Sequence, residues 1–208
     1  MNTNYTLQKV GFWSTLLAAL LGFTHLLPQV LSEMKFIPPP KNLLELFLPT
    51  LLLATTFLVA MLSLHYAALK EYKIWTALGV VFSVLYCGNV FEIYFNQLSA
   101  YHFETLEKGS IENNFVYDNY TFLLRVDLLG YCFISIATFF AAFAFKNNKW
   151  LYRALLWNGI ILPFLILAFF YPIFYMAAIF WIVTFPMAMI YSAMFFRYSI
   201  TIPSNTIL

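Results

Sequence analysis

Six long apolar runs, separated by short polar segments, make up most of the chain. A helix needs about 20 mostly apolar residues to cross the hydrocarbon core of a bilayer. The runs lie roughly at residues 10–31, 43–69, 74–98, 122–145, 150–170 and 173–196. The pattern therefore predicts an all-α integral membrane protein, in which a bundle of six transmembrane helices forms a single domain over residues 1–208.

The segments between the runs differ in length and chemistry. Three consecutive prolines follow the first run and predict an extended link. Residues 99–121 are polar and form the longest connection, which predicts a loop. Only Tyr171 and Pro172 separate the fifth run from the sixth, so the last two helices should form a hairpin. The first run is too long for the apolar part of a signal peptide, and we expect it to remain as the first span.

The balance of apolar and charged residues identifies the solvent around the chain. Hydrophobic residues make up 62% of the sequence and charged residues 10%, whereas soluble proteins carry about 25% charged residues. Because this small number of charges cannot cover a surface that faces water, we expect the lipid bilayer to be the main partner. The net charge of +2 and the scattered basic residues give no reason to expect nucleic acid.

Basic residues are distributed unequally between the two sides of the predicted bundle, and this predicts its orientation. The side that holds both termini has seven basic residues and one acid, Glu71. The basic residues are Lys9, Lys70, Lys73, Lys146, Lys149, Arg153 and Arg197. The other side has three lysines and five acids, which are Glu33, Glu104, Glu107, Glu112 and Asp118. We therefore expect cytoplasmic termini, an outer loop at 99–121, and a location in a bacterial inner membrane or plasma membrane.

The third run contains an acid where the neighbouring residues predict contact with lipid. Asn89, Glu92 and Asn96 are spaced three and four apart, so they form one polar stripe on a helix. An ionisable residue at membrane depth is costly to place and is by default a functional hypothesis.

Two further ionisable residues are predicted at the same depth as Glu92. If the third and fourth helices pack antiparallel, with Leu98 opposite Thr121, Asp127 lies level with Glu92. Both are then about 9 Å from the outer boundary at 1.5 Å per residue. His25 lies equally deep in the first run, so three ionisable groups from three helices share one layer.

Small and polar residues form stripes on the first and fourth predicted helices. Such stripes mark the faces on which membrane helices pack together. The first helix has Thr15, Ala18, Gly22, His25 and Gln29, and the fourth has Asp127, Tyr131, Ser135 and Thr138. Gln29 and Asn96 lie one turn above the ionisable layer, and Glu45 lies near the start of the second helix. The stripes should therefore face the interior of the bundle.

Together these positions predict a polar pocket that opens to the outside within the membrane. Its candidate residues for ligand binding or proton coupling are Glu92, Asp127, His25, Arg125, Asn89, Asn96, Gln29, Tyr131 and Glu45. The alternative is a structural network, in which Arg125 pairs with Glu92 or Asp127 and holds the helices in register.

Motifs for metals, cofactors and catalysis are missing from the sequence. The layer contains one histidine, and no His-Glu-x-x-His or Glu-x-x-His spacing occurs, so we expect no metal. His65 lies near the opposite end of the bundle from His25, so these two cannot hold one haem iron. Seven glycines in the whole chain form no phosphate-binding loop, and no nucleophile motif stands out. We expect no cofactor and assign no catalytic residue.

Three functions remain open at this point. The first is binding or transport of a small molecule or ion, which needs a protonatable carboxyl in the layer. The second is an accessory or assembly subunit, which would bind a protein partner or further copies of itself. The third is a membrane enzyme that acts on a lipid or another apolar substrate, which needs a cleft near His25.

Overall fold

The structure is a computed structural model that describes residues 3–33, 43–107, 122–171, 173–174 and 177–201. These residues are almost entirely helical, and no strand occurs among them. The α-helices are α1 (Thr3–Glu33), α2 (Leu43–Ala67), α3 (Lys73–Glu107), α4 (Phe122–Ala142), α5 (Lys149–Ile160), α6 (Leu162–Ala168) and α7 (Ala177–Thr201). The predicted all-helical class is therefore confirmed.

Five stretches are long and apolar enough to cross a membrane. They are Leu48–Ala67, Lys70–Tyr94, Arg125–Phe145, Lys149–Ala168 and Ile179–Tyr198. α1, with 31 residues, is a further long helix. The described part of the chain thus has five to six helices that can span a bilayer, and many large apolar side chains, such as Trp13 and Phe180, are exposed on their outer faces.

The third helix is longer than its apolar run. α3 continues to Glu107, so the prediction that a loop begins at residue 99 is wrong. The segment from Ser99 to Glu107 contains no glycine or proline, and its alanine, leucine and glutamates favour helix. Polarity marks where a helix leaves lipid, but it does not end the helix. The rest of the predicted loop, 108–121, lies outside the described residues.

The fifth run forms two helices instead of one. The side chain of Asn148 accepts a hydrogen bond from the backbone N–H of Leu151 at 3.2 Å, which caps the start of α5. α5 ends at Ile160 and α6 begins at Leu162. Pro163 has no N–H to donate to the carbonyl of Gly159, so the helical hydrogen bonding is interrupted there. Of the sixth run, the structure describes residues 173–174 and, from Ala177 onward, the helix α7.

The helices pack in a ring. Contacts join α1 to α2, α2 to α3, α3 to α4 and α4 to α5, and α7 packs against both α5 and α1. α6 packs mainly against α4. Trp75 stacks on Phe140, and Tyr94 forms a hydrogen bond with Asp127, so α3 and α4 run antiparallel. These pairs lie within about one helical turn of the predicted alignment of the two helices. The centre of the ring is filled by large buried side chains, which include Phe57, Met61, Trp181, Phe185 and Phe196.

Candidate functional site

The small and polar stripes of α1 and α4 face the interior of the bundle, as predicted. On α1, Thr15, Ala18, Gly22 and His25 are buried. On α4, Asp127, Ser135 and Thr138 are buried and Tyr131 is half-buried. Membrane helices use such residues for close approach and for hydrogen bonds to their neighbours. α4 therefore presents polar groups to the interior along more than three turns.

Asp127 is a buried carboxyl whose hydrogen-bond partner is a neutral side chain. It is 6% exposed, and the Tyr94 hydroxyl donates to its Oδ1 at 2.6 Å. Tyr94 is itself buried. Among the described residues, no lysine, arginine or histidine lies within ion-pair distance of Asp127. A buried carboxylate is costly without a cation, so this position needs either a proton or a positively charged occupant.

His25 connects three helices next to this pair. It is 3% exposed, its Nδ1 lies 2.7 Å from the Thr50 hydroxyl of α2, and its Nε2 lies 3.4 Å from the Tyr131 hydroxyl of α4. The rings of His25 and Tyr94 meet edge to face, with their centroids 6.4 Å apart. We call these five residues from α1 to α4 the polar layer: His25, Thr50, Tyr94, Asp127 and Tyr131.

Glu92 is not part of the polar layer, contrary to the prediction. Its side chain is exposed, because the buried face of α3 is formed by Tyr86, Val90 and Tyr94 at spacings of four. Glu92 is two residues from both Val90 and Tyr94, and residues two apart lie on nearly opposite sides of a helix. Asn89 lies at the edge of the buried face and donates from Nδ2 to the Val126 carbonyl at 3.0 Å.

Arg125 is exposed for the same geometric reason, since it is two residues from the buried Asp127. Among the described side chains it forms no ion pair with Glu92 or with Asp127, so the predicted structural pair is not formed. The side chains of Gln29, Glu45 and Asn96 lie outside the described residues. The structure therefore brings together three of the nine predicted site residues, His25, Asp127 and Tyr131.

A second polar cluster lies deeper in the bundle, and its central residue is not among the site residues predicted from the sequence. Asn158 of α5 is fully buried, donates from Nδ2 to Thr138 Oγ1 at 2.9 Å, and accepts at Oδ1 from Thr184 Oγ1 at 3.1 Å. It thereby joins α4, α5 and α7. An asparagine in the middle of the fifth apolar run was the available sign. Tyr94 and Thr50 were missed because tyrosine and threonine are common in membrane helices.

Aromatic rings pack against the polar layer inside the bundle. Tyr131 meets Trp181 edge to face at 5.0 Å between centroids, and Trp181 stacks on Phe185 at 4.3 Å. Ser135 lies one turn from Tyr131 on α4. Its Oγ and the Nε1 of Trp181 are buried and have no hydrogen-bond partner among the described residues, which costs about 1–3 kcal/mol for each atom.

Two apolar grooves lie on the outside of the bundle. One, of about 500 Å³, runs between α4 and α6, and the other, of about 370 Å³, lies between α5, α6 and α7. Neither is lined by His25 or Asp127. The predicted outward opening is thus not formed by these two grooves, and both ionisable groups of the polar layer are closed off from the surface.

No known protein family, curated protein or solved structure matches this chain. Its function is therefore inferred from the geometry of its own residues.

His65 and the two cysteines do not form a second centre, and the side chain of His102 lies outside the described residues. His65 Nδ1 lies 3.0 Å from the Thr76 hydroxyl, at the end of the bundle where α2 meets α3. Cys87 donates to the Ala54 carbonyl at 3.0 Å, and Cys132 is buried. Within the described parts of the chain, no three histidine, cysteine, aspartate or glutamate residues lie close enough to hold a metal ion. The polar layer is the strongest candidate site there.

Proposed function

We propose that this chain is a polytopic membrane protein that binds and transports a small cation or cationic molecule, with Asp127 as the binding and proton-coupling group. The observation that carries the proposal is the burial of Asp127 beside Tyr94, without a basic residue within ion-pair distance among the described residues. An ionisable group placed this way in a membrane helix is characteristic of ion pathways and proton relays.

Asp127 can be stabilised in the buried layer by a proton or by a cation, but not by both at once. A protonated Asp127 is neutral and is compatible with the closed, buried layer. An ionised Asp127 needs a cation in its place. Binding of a cation would therefore release a proton, and proton binding would release the cation, which is the basis of coupled exchange. His25 and Tyr131, which contact each other, provide further nitrogen and oxygen atoms within the polar layer.

Access to the polar layer is proposed from the end of the bundle where α3 ends and α4 begins. Asp127 is five residues from the start of α4 at Phe122, which corresponds to about 8 Å along the helix. The distribution of basic residues supports an arrangement with six spans, cytoplasmic termini and this end facing outwards. Opening would require a movement of α1 or α2 away from α4, with loss of the hydrogen bonds of His25.

Labelling with dicyclohexylcarbodiimide tests the proposal, because this apolar reagent attacks protonated carboxyls in lipid. The purified full chain in liposomes is treated across a pH series, and adducts are located by peptide mass spectrometry. We expect an adduct on Asp127 that decreases as pH rises and as a cation is added. Asp127→Asn should remove it, whereas Glu92→Gln, which alters the exposed acid nearby, should leave it unchanged. An unlabelled Asp127 in a folded protein would contradict the proposal.

An accessory or assembly subunit is the second candidate. It is favoured by the internal hydrogen bonding of the buried polar groups, since His25, Asp127 and Asn158 all have partners within the bundle. Such a protein needs no opening at the polar layer. It should leave Asp127 unlabelled and should co-purify with a partner in constant ratio. The membrane enzyme is favoured least, because a substrate cleft at His25 conflicts with its exposure of 3%.

A further inference from the structure

The larger groove has the shape of a slot along the lipid-facing side of α4. One wall is formed by Leu129, Phe133 and Ile136 of α4, and the other includes Leu162 and Ile166 of α6. Its volume is about 500 Å³. Cys132, which also lines the groove, packs into a buried cluster with Leu128, Ile161, Leu165 and Ala168. An occupant of the groove would therefore stay outside the bundle, separate from the polar layer.

A single charged residue, Arg125, lies among the residues that line this groove. It is exposed and forms no ion pair with a described acid, including Glu92 on the neighbouring helix. From Arg125 to Ile136 the groove follows 11 residues of α4, or about 16 Å. The groove thus has a cation at the end towards the start of α4 and apolar walls along the rest of its length.

We propose that the groove binds one anionic phospholipid, with its phosphate on Arg125 and one acyl chain along α4. A guanidinium binds phosphate oxygens through two parallel hydrogen bonds, and basic residues between transmembrane helices recognise anionic headgroups. A free phosphate would leave the apolar walls unfilled, and an uncharged apolar ligand would leave Arg125 without a counterion. A phospholipid satisfies both parts of the groove.

Native mass spectrometry of the full chain tests the headgroup contact. The detergent-purified protein is mixed with phosphatidylglycerol or with phosphatidylcholine of identical acyl chains. Wild-type protein should retain more phosphatidylglycerol than phosphatidylcholine. Arg125→Gln should reduce retention of phosphatidylglycerol about five-fold, from the contribution of one basic residue at a membrane surface. The matched control is Arg153→Gln, which removes an exposed arginine from α5. Its retention of phosphatidylglycerol should stay within about two-fold of the wild-type value.

A second variant tests the position of the acyl chain. Ile166→Trp fills the groove from α6 and should lower the retention of both lipids while Arg125 remains in place. Equal retention by Arg125→Gln and Arg153→Gln would overturn the proposal, as would equal retention of the two lipids by wild type. Unchanged retention by a folded Ile166→Trp would overturn the placement of the chain. Arg125 is exposed, so its substitution should not unfold the protein, and a melting curve in detergent verifies this.

Discussion

At the scale of single residues, the hydrogen bond between Tyr94 and Asp127 has the most consequences. Its length of 2.6 Å lies within the usual range for a hydroxyl donor and an oxygen acceptor. It is also the one hydrogen bond that the structure gives to the Asp127 side chain among the described residues. Tyr94 therefore sets the position of the carboxyl and shares its charge when the proton leaves.

Removal of the Tyr94 hydroxyl should destabilise the protein. Tyr94→Phe leaves a buried carboxyl oxygen without its donor, so we expect the free energy of unfolding to fall by about 1–3 kcal/mol. The change is measured by titration with sodium dodecyl sulfate in mixed micelles. Tyr66→Phe is the control, because Tyr66 is exposed, and it should change the free energy by less than about 0.5 kcal/mol.

A double-mutant cycle separates the Tyr94 bond from other effects. Asp127→Ala combined with Tyr94→Phe should cost less than the two single changes added together, because each change removes the same hydrogen bond. If the losses in the free energy of unfolding simply add, the two side chains act independently, which would contradict the role given to Tyr94.

The polar layer could be predicted from the sequence only in part. His25 and Asp127 were identified because a six-residue count from the ends of two apolar runs gives the same depth, and depth follows from helical rise alone. Glu92 was misplaced because depth does not specify a helix face. The face of α3 is decided by which side chains fit between α2 and α4, and there Tyr86, Val90 and Tyr94 are buried.

At the scale of helices, the contact between α4 and α5 depends on a glycine. A Cβ atom at Gly159 would lie 2.5 Å from the Cβ and 2.9 Å from the Cα of Phe139. The backbone of α4 cannot move aside as the end of a flexible side chain could. Gly159 also follows Asn158 directly, so the close approach of the two helices helps to bring Asn158 within reach of Thr138.

Gly159→Ala should therefore separate α5 from α4. We expect a loss of about 1–3 kcal/mol in the free energy of unfolding, the usual cost of overpacking. Gly88→Ala is the matched control, since a Cβ at Gly88 on α3 meets no atom within 4 Å. Because alanine favours helix by up to about 1 kcal/mol over glycine, that variant should be as stable as wild type or more stable. A Gly159→Ala protein with wild-type stability in mixed micelles would contradict the close packing.

Helix positions could be predicted better than helix ends. Apolar runs indicate where the chain meets lipid, and each run is matched by helix. The extension of α3 to Glu107 and the break at Ile161 depend on backbone hydrogen bonding, which hydropathy does not report. Pro163 was visible in the sequence, but a proline either kinks a membrane helix or divides it, depending on the neighbouring helices.

At the scale of the whole molecule, aromatic rings are packed against the polar groups of the interior. Trp181 is fully buried, stacks on Phe185 and meets Tyr131. These packed rings fill the interior next to Tyr131, so transport through the bundle would require a second conformation of the ring of helices. Ser135 Oγ and Trp181 Nε1, which have no partner within the described part of the chain, would gain one from a polar occupant of the interior.

Proton exchange in liposomes tests this behaviour of the whole molecule. A pH-sensitive dye is enclosed with the reconstituted full chain, and sodium, potassium or ethidium ions are added outside. If a cation replaces the Asp127 proton and enters, the proton leaves and the internal pH rises.

Asp127→Asn cannot release a proton and should reduce the rate to that of liposomes without protein. Glu92→Gln should retain the wild-type rate, because Glu92 lies outside the polar layer. Equal rates for wild type and Asp127→Asn would remove Asp127 from any transport cycle and leave the assembly subunit as the better account of its burial.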